Sequence, residues 1–139
     1  MSGKKFDEGK PRLGLAVWTP EMIQAAVLHG QIPPVTDAQS YVATLVSRGS
    51  FLAAWNLLLY TKATSLKRVI ECLELGAERY GEFNWKGFKP EERVRCYHAA
   101  MRHALQWGEP DQGFTHEDHM GCNLMFLLYW DWKPVEGSA

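Results

Sequence analysis

An all-α fold of five or six helices is the class that the sequence predicts, and three observations predict it. Cap-like residues stand ahead of apolar runs at Thr19-Pro20-Glu21, Thr36-Asp37, Ser65 and Thr115. Glycines close such runs at Gly30, Gly81 and Gly108. No segment alternates apolar and polar residues with the period of two that a half-buried strand requires.

The elements follow in order. Thr19 caps a helix with Pro20 at its first position and Glu21 in its positive first turn, and this helix should run to about His29 and stop at Gly30. "QIPPVTD" is a loop, because paired prolines oppose helix. A second helix covers roughly Asp37 to Ser47, and "RGS" at 48–50 breaks or kinks the chain. "FLAAWNLLLY" at 51–60 is almost continuously apolar, too short to span a bilayer, and reads as a buried helix that is central or contacts a second subunit. Ser65 caps "LKRVIECLELGAERYG", where Val69, Leu73, Gly76, Ala77 and Tyr80 fall on or near one face. "EFNWKGFKP" is a loop, and Pro90 opens a helix through about Trp107. "GEPDQGF" is a polar turn, after which Thr115 caps a last helix reaching about Trp130.

One core and one domain, 1–139, suit a chain of 139 residues. The net charge of -1 gives no electrostatic basis for a broad nucleic-acid face. Cys72, Cys96 and Cys122 are odd in number and each lies in an apolar stretch, so they read as buried thiols in a reducing compartment. No signal segment and no run of about 18 apolar residues is present; a cytoplasmic protein is expected. Six tryptophans suggest a small core held largely by aromatic area.

Three polar clusters could carry chemistry. Glu71, Glu74 and Glu78 project from one side of a helix and either hold a divalent cation through oxygens or form a solvated face. Arg102-His103, followed by Glu109 and Asp111, either binds phosphate and magnesium or simply suits the negative end of a helix. His116, His119 and Asn123, at i, i+3 and i+7, form one stripe able to face a metal, a phosphate or a nucleobase edge. No phosphate-binding glycine loop or nucleophile elbow is present, so covalent catalysis is unsupported.

Four stretches, "KFDEGKPRL" at 5–13, "LELGAERYGEFNWKGF" at 73–88, "AAMRHALQWGEPD" at 99–111 and "HEDHMGCNLMFLL" at 116–128, resemble in that order the motifs of the phage-type dATP/dGTP diphosphohydrolase N-terminal-domain family. That family is related to the MazG-like all-α NTP pyrophosphatases. The resemblance implies hydrolysis of a purine deoxynucleoside triphosphate to the monophosphate and pyrophosphate with Mg²⁺, or Mn²⁺ in its place. It carries onto Lys5, Asp7 and Lys10 in an arm at 1–18, then Tyr80, Asn84 and Trp85, then Arg102, His103, Glu109 and Asp111, and last His116, His119 and Asn123. Residues 31–64 look like an insertion relative to the family. His116-x-x-His119 stands where the MazG-like relatives would place a second acidic pair after Glu71-x-x-Glu74.

Residue chemistry divides these positions. Glu71, Glu74, Glu109 and Asp111 are the expected metal ligands. Arg102 and the arm's lysines would neutralise pyrophosphate, while His103 or His119 moves the proton. Lys5, Asp7, Lys10, Tyr80, Asn84, Trp85, His116 and Asn123 are the expected substrate contacts, with Tyr80 or Trp85 stacking on a base. The alternative from another class is a protein that binds or sequesters a nucleotide without cleaving it, and a helical interaction protein is a third. A homodimer or higher homo-oligomer is expected, with no membrane or nucleic-acid partner.

Overall fold

The computed structural model describes residues 12–134, and over them the chain is helical. Six α-helices are present among the described residues: α1 (Pro20–Leu28), α2 (Asp37–Ser47), α3 (Phe51–Tyr60), α4 (Leu66–Tyr80), α5 (Pro90–Ala104) and α6 (His116–Tyr129). Short 3-10 helices occupy Leu13–Leu15 and Asn84–Gly87. The arm residues Lys5, Asp7 and Lys10 lie outside the described residues.

Helix starts follow the local chemistry. The side chains of Thr19, Thr36, Ser65 and Thr115 accept the backbone N–H groups of Met22, Gln39, Arg68 and Asp118, satisfying donors that a first turn leaves open. At α6 the cap is reciprocal, because the Thr115 N–H donates to Asp118 Oδ2 at 3.0 Å. Gly81 ends α4 at φ +95°, a conformation that a side chain would strain.

Three stretches differ from the sequence expectation. Helix α5 ends at Ala104, short of Trp107, because the chain tightens into bonds from Leu105 N–H to Arg102 O and from Gln106 N–H to His103 O. The buried carboxylate of Glu117 then takes the Gly108 N–H at 2.8 Å and holds the turn. Beyond it "GEPDQGF" is a small antiparallel hairpin, β1 (Pro110–Asp111) pairing with β2 (Phe114–Thr115). Gln112 and Gly113, at φ +53° and +86°, supply its two-residue turn. Two-residue strands are too short to show alternation, which hides them in the sequence. Within the "EFNWKGFKP" loop, the 3-10 turn begins after Phe83 at φ +58°.

Helix α6 is central and packs on α3, α4 and α5. Its Met120, Leu124 and Leu127 are fully buried, meeting Ala100, Met101 and Ala104 of α5 in the main core. All six tryptophans are half-buried, and Trp18, Trp55, Trp107, Trp130 and Trp132 pack around this core without filling its centre. The reason is size: the interior positions where α5 and α6 meet hold alanine, methionine and leucine. Helix α3 buries Phe51, Ala54 and Leu58 and leaves Leu52 59% and Tyr60 83% exposed, so only one face of "FLAAWNLLLY" is interior.

Two polar ties fix the helices that carry the site. The buried Gln39 amide of α2 donates to the last α5 carbonyl, Ala104 O, at 2.9 Å. Asp118 on α6, 2% exposed, accepts from Thr64 Oγ1 at 2.6 Å and from Arg68 Nη2 on α4 at 2.7 Å. Gly121 lets α4 and α6 approach, since a Cβ there would stand 2.6 Å from Val69 Cγ2. No described helix is long and apolar enough to cross a membrane.

Candidate active site

Three elements converge at one end of α6. The last turn of α5 carries His103, the hairpin carries Asp111, and the first turns of α6 carry His116 and His119. Nδ1 of His103 and Nδ1 of His116 are 2.8 Å apart. Asp111 Oδ2 lies 4.0 Å from His103 Nδ1 and 3.7 Å from both His116 Nδ1 and His119 Nε2. A carboxylate and three imidazoles thus face one another, each less than a quarter exposed.

The protons of His119 follow from its partners. Its Nε2 is 2.9 Å from the Asp111 backbone carbonyl, which can only accept, so Nε2 carries a hydrogen and donates it. Its Nδ1 is 3.4 Å from Cys72 Sγ. Burial opposes charge on His119, but the Cys72 sulfur and Asp111 outweigh it and hold its pKa above the ordinary value. The Cys72 thiol is drawn down to about 6 by a hydrogen bond from Cys122, against burial, with His119 adding to the effect. Cys122 moves the opposite way, well up, because of Cys72 beside it and because it is buried, with its S–H directed at the Val69 carbonyl at 3.7 Å. Both shifts favour charge separation between the Cys72 sulfur and the His119 ring.

His103, Asp111 and His116 each offer a ligand atom within 4.8 Å of the others, the one such trio among the described residues. Two imidazoles and one carboxylate fit a divalent cation. The two imidazole nitrogens suit a transition-metal cation better than Mg²⁺, which prefers oxygen. Of the expected carboxylate ligands only Asp111 is in the trio. Glu71 is turned to Lys67 at 2.7 Å and Arg68 at 3.9 Å, because those residues are its helical neighbours one turn back. Glu74 is exposed on the solvent side of α4. Glu109 is exposed at the start of the hairpin, where its carbonyl accepts the His116 N–H at 3.2 Å.

Beside the trio opens a cavity of about 300 Å³, lined by His103 and His119 together with the aromatic side chains of Tyr80, Phe83, Trp85, Phe88 and Phe126. Tyr80, Asn84, Trp85 and Asn123 all line it, as the sequence reading expected of substrate contacts. Trp85, however, stacks on Phe126 at 4.6 Å between centroids and meets Tyr129 edge-on at 5.1 Å. Its ring is committed to anchoring the 3-10 turn on α6. Arg102 is half-buried next to His103 and is not among the cavity-lining residues.

Sequence reasoning missed Cys72, Cys96 and Cys122 as members of the site. All three cysteines are buried thiols, as expected, yet all three line the cavity and Cys72 touches His119. A signal existed: Cys122 stands three residues after His119, on the same side of α6.

Residues 46–138 match the family described as dATP/dGTP diphosphohydrolase, N-terminal. The match spans more than half of the chain, begins inside the 31–64 segment, and contains every described site residue. No curated protein and no solved structure matches the chain. With its helices, its histidine-aspartate cluster and that match, the chain belongs to the dATP/dGTP diphosphohydrolase N-terminal family.

Proposed function

We propose that the protein hydrolyses a purine deoxynucleoside triphosphate to the monophosphate and pyrophosphate with a divalent cation. The observation that carries this reading is the convergence of His103, Asp111 and His116 next to an aromatic-lined cavity whose wall includes His103, in a chain of this family.

His103, His116 and Asp111 would hold the cation, with Mn²⁺ favoured over Mg²⁺. Such a cation supplies Lewis acidity at a phosphoryl oxygen and acidifies water. The protein's own groups do the rest. His119 fixes the Asp111 backbone through its Nε2–H, so the Asp111 carboxylate is positioned by an imidazole that itself rests on Cys72. Arg102, one residue from His103, is the group assigned to the developing charge on pyrophosphate, and Glu109 adds a second carboxylate at the hairpin. Lys5 and Lys10 remain assigned to phosphate, and Asp7 to a further substrate contact.

A second reading has one observation in its favour: Glu71 and Glu74 stand away from the trio, which leaves few carboxylates there and suits binding without cleavage. Chromatography of a nucleotide panel after incubation with Mn²⁺ or Mg²⁺ separates the two. Monophosphate and pyrophosphate that vanish with chelator support hydrolysis; retained, unconverted nucleotide supports the binder. Self-association through the exposed side of α3 is also proposed, and light scattering tests it.

A further inference from the structure

We infer that Cys72 and Cys122 form a dithiol site that a hydroperoxide oxidises to a disulfide between α4 and α6, with the His119 imidazole moving the proton. The two sulfurs come from different helices and meet at one place. Cys122 Sγ stands 3.7 Å from the Val69 carbonyl oxygen on α4. Cys72 is one turn beyond Val69, and side chains on a helix lean back over the preceding turn, so its sulfur reaches the same spot. Val69, Cys72 and Cys122 accordingly pack as one cluster, with the two thiols within hydrogen-bonding reach of each other. The close approach of the helices at Gly121 permits this.

His119 supplies what separates a reactive thiol from an inert buried one. Its Nε2 hydrogen is held by the Asp111 carbonyl at 2.9 Å, so Nδ1 is the nitrogen left to face Cys72 Sγ at 3.4 Å. A proton that passes along that line from sulfur to nitrogen leaves the sulfur nucleophilic. Both cysteines are also within reach of a small oxidant. Cys72 keeps 7% and Cys122 6% of its surface exposed, and both line the cavity of about 300 Å³.

The chemistry closes with the hydroperoxide as its one co-reactant. The Cys72 sulfur attacks a peroxide oxygen: an S–O bond forms, the O–O bond breaks, and the departing hydroxide takes the proton from His119 Nδ1 and leaves as water. The Cys122 sulfur then attacks the Cys72 sulfur, forming the S–S bond and breaking S–O, and the second hydroxide leaves as water with the Cys122 proton. The thiol pair loses two electrons, and one hydrogen peroxide becomes two waters. Cys96 also borders the cavity, but it sits on α5 in the main core and not in the cluster with Val69, so it stays a thiol.

The experiment treats the reduced protein, without nucleotide or metal, with hydrogen peroxide, alkylates the remaining thiols and maps the peptides by mass spectrometry. A Cys72–Cys122 disulfide that dithiothreitol reverses, with Cys96 alkylated, is expected. Cys122→Ala should stop at a Cys72 sulfenic acid that dimedone traps. His119→Gln, which keeps a donor for the Asp111 carbonyl, should slow disulfide formation by about tenfold or more. If either variant fails to fold, the wild-type map alone decides. Cys72 and Cys122 both alkylated under conditions that fully oxidise a cysteine peptide, a disulfide that includes Cys96, or an unslowed rate in His119→Gln overturns the inference. Because no nucleotide is present, each of these outcomes leaves the proposed hydrolysis to its own test.

Discussion

His103 and His116 face each other through their Nδ1 atoms at 2.8 Å, although they come from different helices and thirteen residues apart in the chain. Two imidazole nitrogens at that distance either share one proton or hold a cation together, because two N–H groups would repel. Asp111 beside them, at 3.7 and 4.0 Å, favours positive charge at the same point.

Metal binding should follow this pair. Calorimetric titration of the protein is expected to show tighter binding of Mn²⁺ than of Mg²⁺, and His116→Ala to weaken Mn²⁺ by about 100-fold or more. Equal Mn²⁺ affinity in the variant would place the ion elsewhere.

Cys72 should ionise near neutrality. Thiolate ultraviolet absorbance is expected to rise with a midpoint near pH 6 and to be absent over that range in Cys72→Ser. The folded-state value lies below the ordinary thiol value of 9.0, so the associated stability is full above pH 9 and is lost as pH falls through about 6. Denaturant unfolding of wild type and Cys72→Ser across that window reads the difference, and a constant gap would remove the thiolate assignment.

Asp118 holds α4 to α6. Burial works against its charge, but bonds from Thr64, Thr115 and Arg68 outweigh it and keep the carboxyl below its ordinary pKa. Asp118→Ala removes the cap and leaves Thr64 and Arg68 without their acceptor, at a cost of about 2–4 kcal/mol. The folded pKa is depressed, so the charge contribution is full above about pH 4 and is lost as pH falls through the folded value. Urea unfolding at pH 7 and at pH 3 should therefore show a larger gap between wild type and Asp118→Asn at pH 7.

Gly121→Ala tests the close approach of α4 and α6. With 2.6 Å to Val69 Cγ2, the added methyl should destabilise by about 1–3 kcal/mol despite alanine's higher helix propensity. A rise in Tm would mean that Val69 yields freely.

Much of this was legible in the sequence because it is local. Thr19, Thr36, Ser65 and Thr115 announce their helices through hydrogen bonds to residues three positions on, and Gly81 announces a stop. The stripe of His116, His119 and Asn123 follows from helical spacing, and all three do border the trio or the cavity. What the sequence could not show depends on distant partners. Glu71 looks like a ligand by spacing until Lys67 and Arg68 are seen to hold it, and Trp85 looks free to stack until Phe126 covers it. Cys72 acquires its role only from His119, 47 residues away in sequence.

The central claim is that the His103, Asp111 and His116 trio performs the hydrolysis, and pyrophosphate release from dATP by wild type and Asp111→Asn in saturating Mn²⁺ tests it most directly. Asp111→Asn keeps the backbone carbonyl that His119 binds and removes only the charge, so the account predicts a folded protein with turnover reduced about 100-fold or more. Turnover equal to wild type in that variant would contradict it.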